Sequence, residues 1–504
     1  MPIVNKENST QILANVLHPM LYVQGARGEM TASTEKPEHG IYFLLPNLTA
    51  EDFGDPAFKK TYGLRYALYG GAMANGIASA DMAIALGKAG CMGSYGSGGQ
   101  RLEVVAQEID KMKAALGDKP FLVNMLSNRN AEMEMQLAQL LIDKEVPGVE
   151  ASAYIVPSEA LVYFRVNGIR EEDGKLVIPH KIIAKVSREE VLEKFVSPPA
   201  AELVESLLKA GRITPEEAAL AAKIPMADDI TAEADSGGHT DGRPMVSMLP
   251  ALIALANRKQ AEFGYQQKVR VGAGGGIGTG LSCLGAFEMG AAYVVTGSVN
   301  QGCVESGTSD YVKQILAETA MADVTMAPCA DMFEVGAKVE VIKKKTMYAQ
   351  NAQKLYEYYV KYPSFQDIPA ADRERIEKKI LKDSFDNIWK GTREYFLRAD
   401  PSKVPQAEKN PKMKMALVFR WYLGSSSRWA VQGDMSRKFD MQIWCGQAMG
   451  AFNLWVKGTP MEKAENRHVG EVALLLLKSC AYHQMKNLLT RMGADPSQFR
   501  DDIL

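Results

Sequence analysis

The sequence predicts an α/β chain, a (β/α)₈ TIM barrel followed by a mainly helical region. Three observations carry that reading. From Tyr62 to about residue 309, short apolar runs alternate with helical patterns eight times in series, which is how a parallel sheet of βα units reads. Stretches able to hold a ligand follow the first, third, sixth, seventh and eighth runs; an open doubly wound sheet gathers ligands at one switch point, whereas a barrel gathers them around its C-terminal rim. Beyond about residue 310 the strand signals give way to helical spacing.

Residues 1–61 read as an N-terminal segment packed on the barrel, with short strands at Met20 to Val23 and Gly40 to Leu45. Residues 62–309 form the barrel. Its strands fall at Arg65 to Tyr69, Cys91 to Gly93, Phe121 to Met125, Val149 to Ile155, Ile182 to Val186, Asp229 to Ala234, Val269 to Ala273 and Tyr293 to Thr296. Between them lie helices such as Ser79 to Lys88 and Leu102 to Leu116, the latter with Val105, Ile109 and Met112 at helical spacing. Val162 to Val166 and Leu176 to Ile178 flank NGIREEDGK and read as an inserted hairpin. Thr214, Pro215 and Glu217 form a capping box with proline at the first helical position, and Thr459, Pro460 and Glu462 repeat that signature. Residues 310–458 read as helical, with helices at Asp310 to Ala322, Met347 to Tyr362 and Asp372 to Trp389; residues 459–504 read as C-terminal helices, Pro460 to Met492, packing back on the barrel.

The chain has 504 residues, 46% hydrophobic and 23% charged, with a net charge of −2, so it can bury a large core and offers no electrostatic case for nucleic acid. No apolar run approaches the roughly 20 residues of a membrane span, and MPIVNKENSTQIL lacks the pattern of a secretory leader. Six scattered cysteines without C-x-x-C spacing are expected to be free thiols in a reducing cytoplasm, with no metal site. The 26 methionines suit irregular cores and equally a channel for a flexible acyl chain.

The central stretch is AEADSGGHTDGRP, residues 232–244, at the end of the sixth strand. Gly237 and Gly238 let backbone and a flat ligand come close, and His239 can titrate near neutral pH, which suits proton transfer or charge stabilisation beside a reacting group. Glu233 and Asp235 share a strand face and can orient a ligand or the histidine; an ion pair with Arg or Lys is the plainer alternative. GAGGGIG, Gly272 to Gly278, and TGSVNQG, Thr296 to Gly302, follow consecutive strands, where barrels often build a phosphate site from backbone N–H groups. GGAMANG, Gly70 to Gly76, leaves room at the rim for a flat ring. Asn124 and Lys185 are polar groups in apolar strands, for a ring or phosphate or for buried hydrogen bonding. Val339 to Lys345, with three successive lysines, reads as a solvated or packing face, or as a dock for an acidic partner. Cys303 has no placed base and reads as an inert thiol.

AEADSGGHTDGRP, RVGAGGGIG, AAYVVTGSVNQ, APCADMFEVGAK, FRWYLGSSSRWA and QIWCGQAMGAFN together resemble the PfaD-type enoyl reductases, the separate reductase subunits of polyunsaturated fatty acid synthases, with relatives acting in trans on polyketide synthases. The resemblance runs from about Gly63 to Arg491, and the barrel is also similar to nitronate monooxygenases and to flavin-dependent enoyl-carrier-protein reductases. It implies an FMN-binding barrel, a helical substrate-binding region at residues 310–458, NADPH as hydride source, and enoyl thioesters on an acyl carrier protein as substrate. It places the catalytic histidine at His239, the phosphate loops at Gly274, Gly275, Gly276, Gly297 and Ser298, the first-strand flavin loop at Ala72, Met73 and Ala74, and the third-strand asparagine at Asn124. Gly242 stands where Asn is expected and Gly274 where Ala is usual. A homodimer is an open expectation. The competing expectations are a nitronate monooxygenase-like oxidase, which needs neither NADPH nor carrier, and a non-catalytic scaffold that docks carrier proteins.

Overall fold

The computed structural model describes residues 48–128, 130–491, 497 and 499–504, together with the pieces 20–24, 31–33, 36, 38–39 and 42–46. The expected strand start at Gly40 and helix end at Met492 lie outside the described residues. The chain divides into two compact units: one of Met1–Ala234, Arg243–Ser306 and Trp455–Leu504, the other of Asp235–Gly242 and Gly307–Leu454.

In the first unit, β1 (Met20–Gln24), β2 (Thr31–Ser33) and β3 (Tyr42–Pro46) make an antiparallel sheet in the order β2-β1-β3. The barrel strands are β4 (Leu68–Gly70), β5 (Met92–Tyr95), β6 (Leu122–Leu126), β7 (Gly148–Ser152), β10 (Lys181–Val186), β11 (Asp229–Glu233), β13 (Arg270–Gly274) and β14 (Val294–Thr296), which close into one parallel ring. Their buried runs carry no alternation because both faces are covered, by helices outside and by barrel filling inside.

The N-terminal end of the barrel is plugged. Asp55 caps the helix Pro56–Tyr62, which delivers Phe58 onto Tyr293 with ring centroids 4.1 Å apart. Arg270 Nε and Nη2 donate to the two oxygens of Asp229 at 2.6 and 2.9 Å, and Tyr62 Oη donates to the same carboxylate at 2.8 Å. One layer up, Thr231 Oγ1 lies 3.0 Å from Tyr69 Oη and 3.1 Å from Tyr293 Oη, so the polar atoms of the filling are paired with each other. The C-terminal helix Val469–Arg491 belongs to this unit and packs on Gly280–Glu288 so closely that a Cβ at Gly280 would sit 2.0 Å from Ser479 Oγ.

Several local expectations are corrected. Val162 to Val166 is helical, inside Glu159–Val166: Ser158 caps that helix by accepting from the Leu161 N–H, and burial on every side erases the helical period from a β-branched and aromatic run. The hairpin is smaller, β8 (Arg170–Glu172) with β9 (Lys175–Val177), turning on Asp173 and Gly174. A further helix occupies Glu189–Val196. The capping box at Thr214 and Glu217 forms on both sides, whereas Thr459, Pro460 and Glu462 make only a 3₁₀ turn before the long helix starts at Val469.

The second unit is not purely helical. β15 (Val324–Pro328) and β16 (Lys338–Ile342) pair antiparallel, and the short β12 (Gly238–His239) adds to β16, with Gly238 opposite Glu340 and His239 opposite Val339. KVEVI does alternate as a strand should, but VTMAP ends in proline and sits at an edge, which blurs the pattern. The helices Tyr348–Lys361, Phe385–Ala399 and Pro411–Gln432 share a core built on Phe333, Leu355, Phe365, Phe385 and Phe419. The expected continuous helix from Asp372 breaks: Ala370–Arg375 runs into a π-helical turn, Ile376–Leu381, ended by Lys382 in the left-handed region, whose Nζ reaches buried Asp440 at 2.6 Å. No helix among the described residues is long and apolar enough to cross a membrane.

Candidate active site

In the barrel unit the predicted residues collect at the C-terminal ends of the strands. The loop after β4 lies against the loop after β5 through backbone bonds, Asn75 N–H to Gly98 O at 2.7 Å and Gly76 N–H to Gly96 O at 3.1 Å. Gly96 is obligatory there, since a Cβ would meet Met73 O at 1.8 Å. The Ala72 N–H donates to Glu150 Oε2 at 2.8 Å, which fixes the Ala72, Met73 and Ala74 segment on β7.

Glu150 is one residue that sequence reasoning missed. It is fully buried, and its Oε1 has no hydrogen-bond partner among the described residues. Lys185 Nζ is 3.7 Å from that oxygen and 2.6 Å from Glu233 Oε1, so one lysine bridges two carboxylates. Burial pulls the Lys185 ammonium down, but Glu233 and Glu150 outweigh it and raise it above the ordinary lysine range. The one sequence signal is the acid inside VEAS; its partner Lys185 lies on another strand, so its meaning depends on the fold.

Asn124 is buried, and its Nδ2 donates to Glu150 O at 2.9 Å and Ser152 Oγ at 3.0 Å. Its amide N–H groups are therefore spent within the barrel, and only its Oδ1 is left to serve a ligand. Gly275 and Gly276 lie in the left-handed region at φ 88° and 73°. A Cβ at Gly276 or Gly297 would have nothing within 4 Å, so the backbone there borders open space, as a phosphate cradle requires. Gly274 packs against Thr231 Cγ2, 3.1 Å from its would-be Cβ, and Ser298 opens the short helix Ser298–Gln301. A cavity of about 280 Å³, lined by Asp55, Asn257, Lys268 and Arg270, opens at the opposite, N-terminal end of β13.

Gly237, Gly238 and His239 belong to the second unit, which the chain enters just past β11. A Cβ at Gly237 would lie 2.7 Å from the Cys445 backbone, and Gly238 has φ 85°, so both glycines are needed to lay the segment on β16. His239 Nε2 lies 3.1 Å from Asp331 Oδ1. Partial burial lowers the imidazolium, but Asp331, with Cys329 beside it, overcomes this and pushes it up to about 10; the same pairing holds Asp331 well below the usual carboxylate range. Glu340 is buried, its Oε2 without a partner among the described residues, and burial plus the nearby Asp235 push it up to about 7. Lys344 and Lys345 engage Asp323 and Glu318 in the same unit. Cys303 is buried and donates to Val299 O.

The nitronate monooxygenase family model matches residues 57–360, and the inserted helical domain of [acyl-carrier-protein] S-malonyltransferase matches residues 362–441. The enoyl reductase domain of MlnA from the macrolactin cluster of Bacillus amyloliquefaciens is 36% identical, with a TM-score of 0.83, covering 88% of this chain and 99% of that one. A polyunsaturated fatty acid synthase subunit of Thraustochytrium sp. is 45% identical over 88% of this chain but only 30% of its own length. The polyketide biosynthesis protein PksE of Bacillus subtilis is 40% identical over 93% of this chain and 61% of its own length. The chain thus spans less than two thirds of these two relatives. With the barrel model over half its length and a solved enoyl reductase domain matched almost end to end, the chain belongs to the nitronate monooxygenase family of oxidoreductases, in its PfaD-type enoyl reductase branch.

Proposed function

We propose that the chain is an FMN-dependent enoyl reductase, which uses NADPH to reduce the α,β-double bond of enoyl thioesters on acyl carrier protein in polyunsaturated fatty acid or polyketide biosynthesis. The observation that carries the reading is the His239–Asp331 pair, 3.1 Å apart, in which the carboxylate favours the protonated imidazole.

The barrel residues fit a flavin mononucleotide. Gly276 and Gly297 border the open backbone a phosphate needs, and the buried Glu150 Oε1 lacks a partner among the described residues. Gly274, Gly275, Gly276, Gly297 and Ser298 would hold the phosphate; Ala72, Met73, Ala74, Asn124, Lys185 and Glu233 would hold the ring and its polar edge. When bound, the flavin supplies a hydride, taken from NADPH, to the β-carbon of the alkene. Saturation then needs one proton at the α-carbon. His239 gives that proton, and Asp331, which faces its Nε2, stabilises the cation beforehand; solvent then restores the proton. Gly237 and Gly238 fix the imidazole's backbone on β16. Similarity of residues 362–441 to the malonyltransferase helical domain supports a carrier-borne substrate.

The test is the purified protein under anaerobic conditions. A yellow protein bleached by NADPH without nitroalkane supports a reductase. A yellow protein that nitroalkane alone reduces supports the oxidase reading, and a colourless one the docking scaffold.

A further inference from the structure

The sequence offers no metal motif, because its cysteines lack paired spacing. The fold nevertheless assembles one. His239 Nε2, Cys329 Sγ and an Asp331 carboxylate oxygen all lie within 4.8 Å of one another. We propose that His239, Cys329 and Asp331 form a three-ligand site for a zinc-class divalent cation.

The scaffold is rigid where it must be. β16 stands between the ligands' carriers: Val339 pairs with His239 on one side and with Ala327, two residues before Cys329, on the other. The Cys329 N–H donates to Ala337 O at 3.0 Å. Beyond Asp331, buried Phe333 anchors a 3₁₀ turn that Gly336 closes at φ 73°. Cys329 is only 1% exposed, while the His239 and Asp331 side chains are 49% and 61% exposed. The sulfur therefore forms the floor and the other two form a rim open to solvent.

The donor set chooses the metal. Magnesium and calcium prefer all-oxygen shells, whereas thiolate, imidazole and carboxylate together suit zinc or cobalt. Bonds of about 2.0–2.3 Å place tetrahedral ligands roughly 3.3–3.8 Å apart, against 3.1 Å for His239 Nε2 to Asp331 Oδ1 and no more than 4.8 Å for the pairs with Cys329 Sγ, so the first pair opens slightly and the sulfur needs no large movement. Three protein ligands leave a fourth position for water, the arrangement of an exchangeable rather than a closed structural site. The paired strands and the tight turn hold the ligands' backbones in place, so little ordering is left for the metal to impose. Occupancy would engage the same Nε2 that faces Asp331; on the reductase reading above, bound zinc therefore inhibits.

Titration of the full-length holoprotein with zinc chloride, followed by calorimetry, tests the site. One zinc per chain is expected, with magnesium giving no heat, and Cys329→Ser and Asp331→Asn each weakening binding at least tenfold. X-ray absorption of the zinc-loaded wild type, which needs no variant to fold, is expected to show one sulfur at about 2.3 Å and lighter ligands at about 2.0–2.1 Å. Absence of stoichiometric binding, a shell without sulfur, or wild-type affinity in Cys329→Ser overturns the proposal. Binding without inhibition leaves the metal site standing and counts instead against His239 as proton donor.

Discussion

His239 Nε2 lies 3.1 Å from Asp331 Oδ1, and this contact joins residues 92 positions apart into one proton-holding unit. A histidine beside a carboxylate favours its charged form, so the pair stores a proton where a free imidazole, with a pKa of about 6.5, would largely have lost it. Removing His239 as alanine is expected to slow turnover by about 10²- to 10⁴-fold while flavin stays bound. Steady-state rates and the flavin-to-protein absorbance ratio check this together.

The pH profile follows from the same contact. Because the folded value is raised to about 10, the protonated form persists through neutrality and is lost as pH rises through that value. Asp331→Asn removes the main support. Its alkaline break is expected to fall toward about 6.5, costing roughly tenfold in rate near pH 7.5. A profile in Asp331→Asn that overlays the wild type would separate Asp331 from the proton.

Lys185 bridges Glu233 and the buried Glu150. Lys185→Met removes the cation from beside Glu233 and the fully buried Glu150 and is expected to cost about 3–5 kcal/mol of stability and most of the bound flavin. Glu150→Gln keeps an oxygen for the Ala72 N–H and is expected to cost less. Denaturant unfolding and flavin content, measured on both variants, rank them.

Glu340 gives a stability signature of opposite sign to that of a salt-bridged acid. Its folded value is raised from 4.5 to about 7, so the folded state binds the extra proton. Stability is therefore lost as pH climbs from about 4.5 to about 7, and the penalty is complete above that. Glu340→Gln is expected to match wild type near pH 4 and to melt higher at pH 8, as differential scanning calorimetry at the two pH values would show.

Arg270 and Asp229 belong to the plug at the far end of the barrel. Arg270→Met strands a buried carboxylate and is expected to destabilise by about 3–5 kcal/mol without changing the pH profile of the enzyme that remains folded. Unfolding curves and rates per folded molecule test the separation.

The barrel was legible because eight βα units repeat one pattern, and Gly275, Gly276 and Gly238 do take the positive φ that favours glycine. What stayed hidden depends on contacts between distant positions. Glu150 becomes meaningful only beside Lys185, and Asp331 and Cys329 only once β12, β15 and β16 pair. The Val162 to Val166 run failed because full burial removes periodicity. The helical expectation for residues 310–458 missed β15 and β16 because two short strands are easily lost among long helices.

The most direct measurement is anaerobic stopped-flow. The holoprotein is first reduced with one equivalent of NADPH and then mixed with a crotonyl thioester on acyl carrier protein. The account predicts that the flavin absorbance returns with formation of the butyryl thioester, and that His239→Ala slows this phase at least a hundredfold. Absorbance that stays bleached in the wild type, or returns equally fast in the variant, would contradict it.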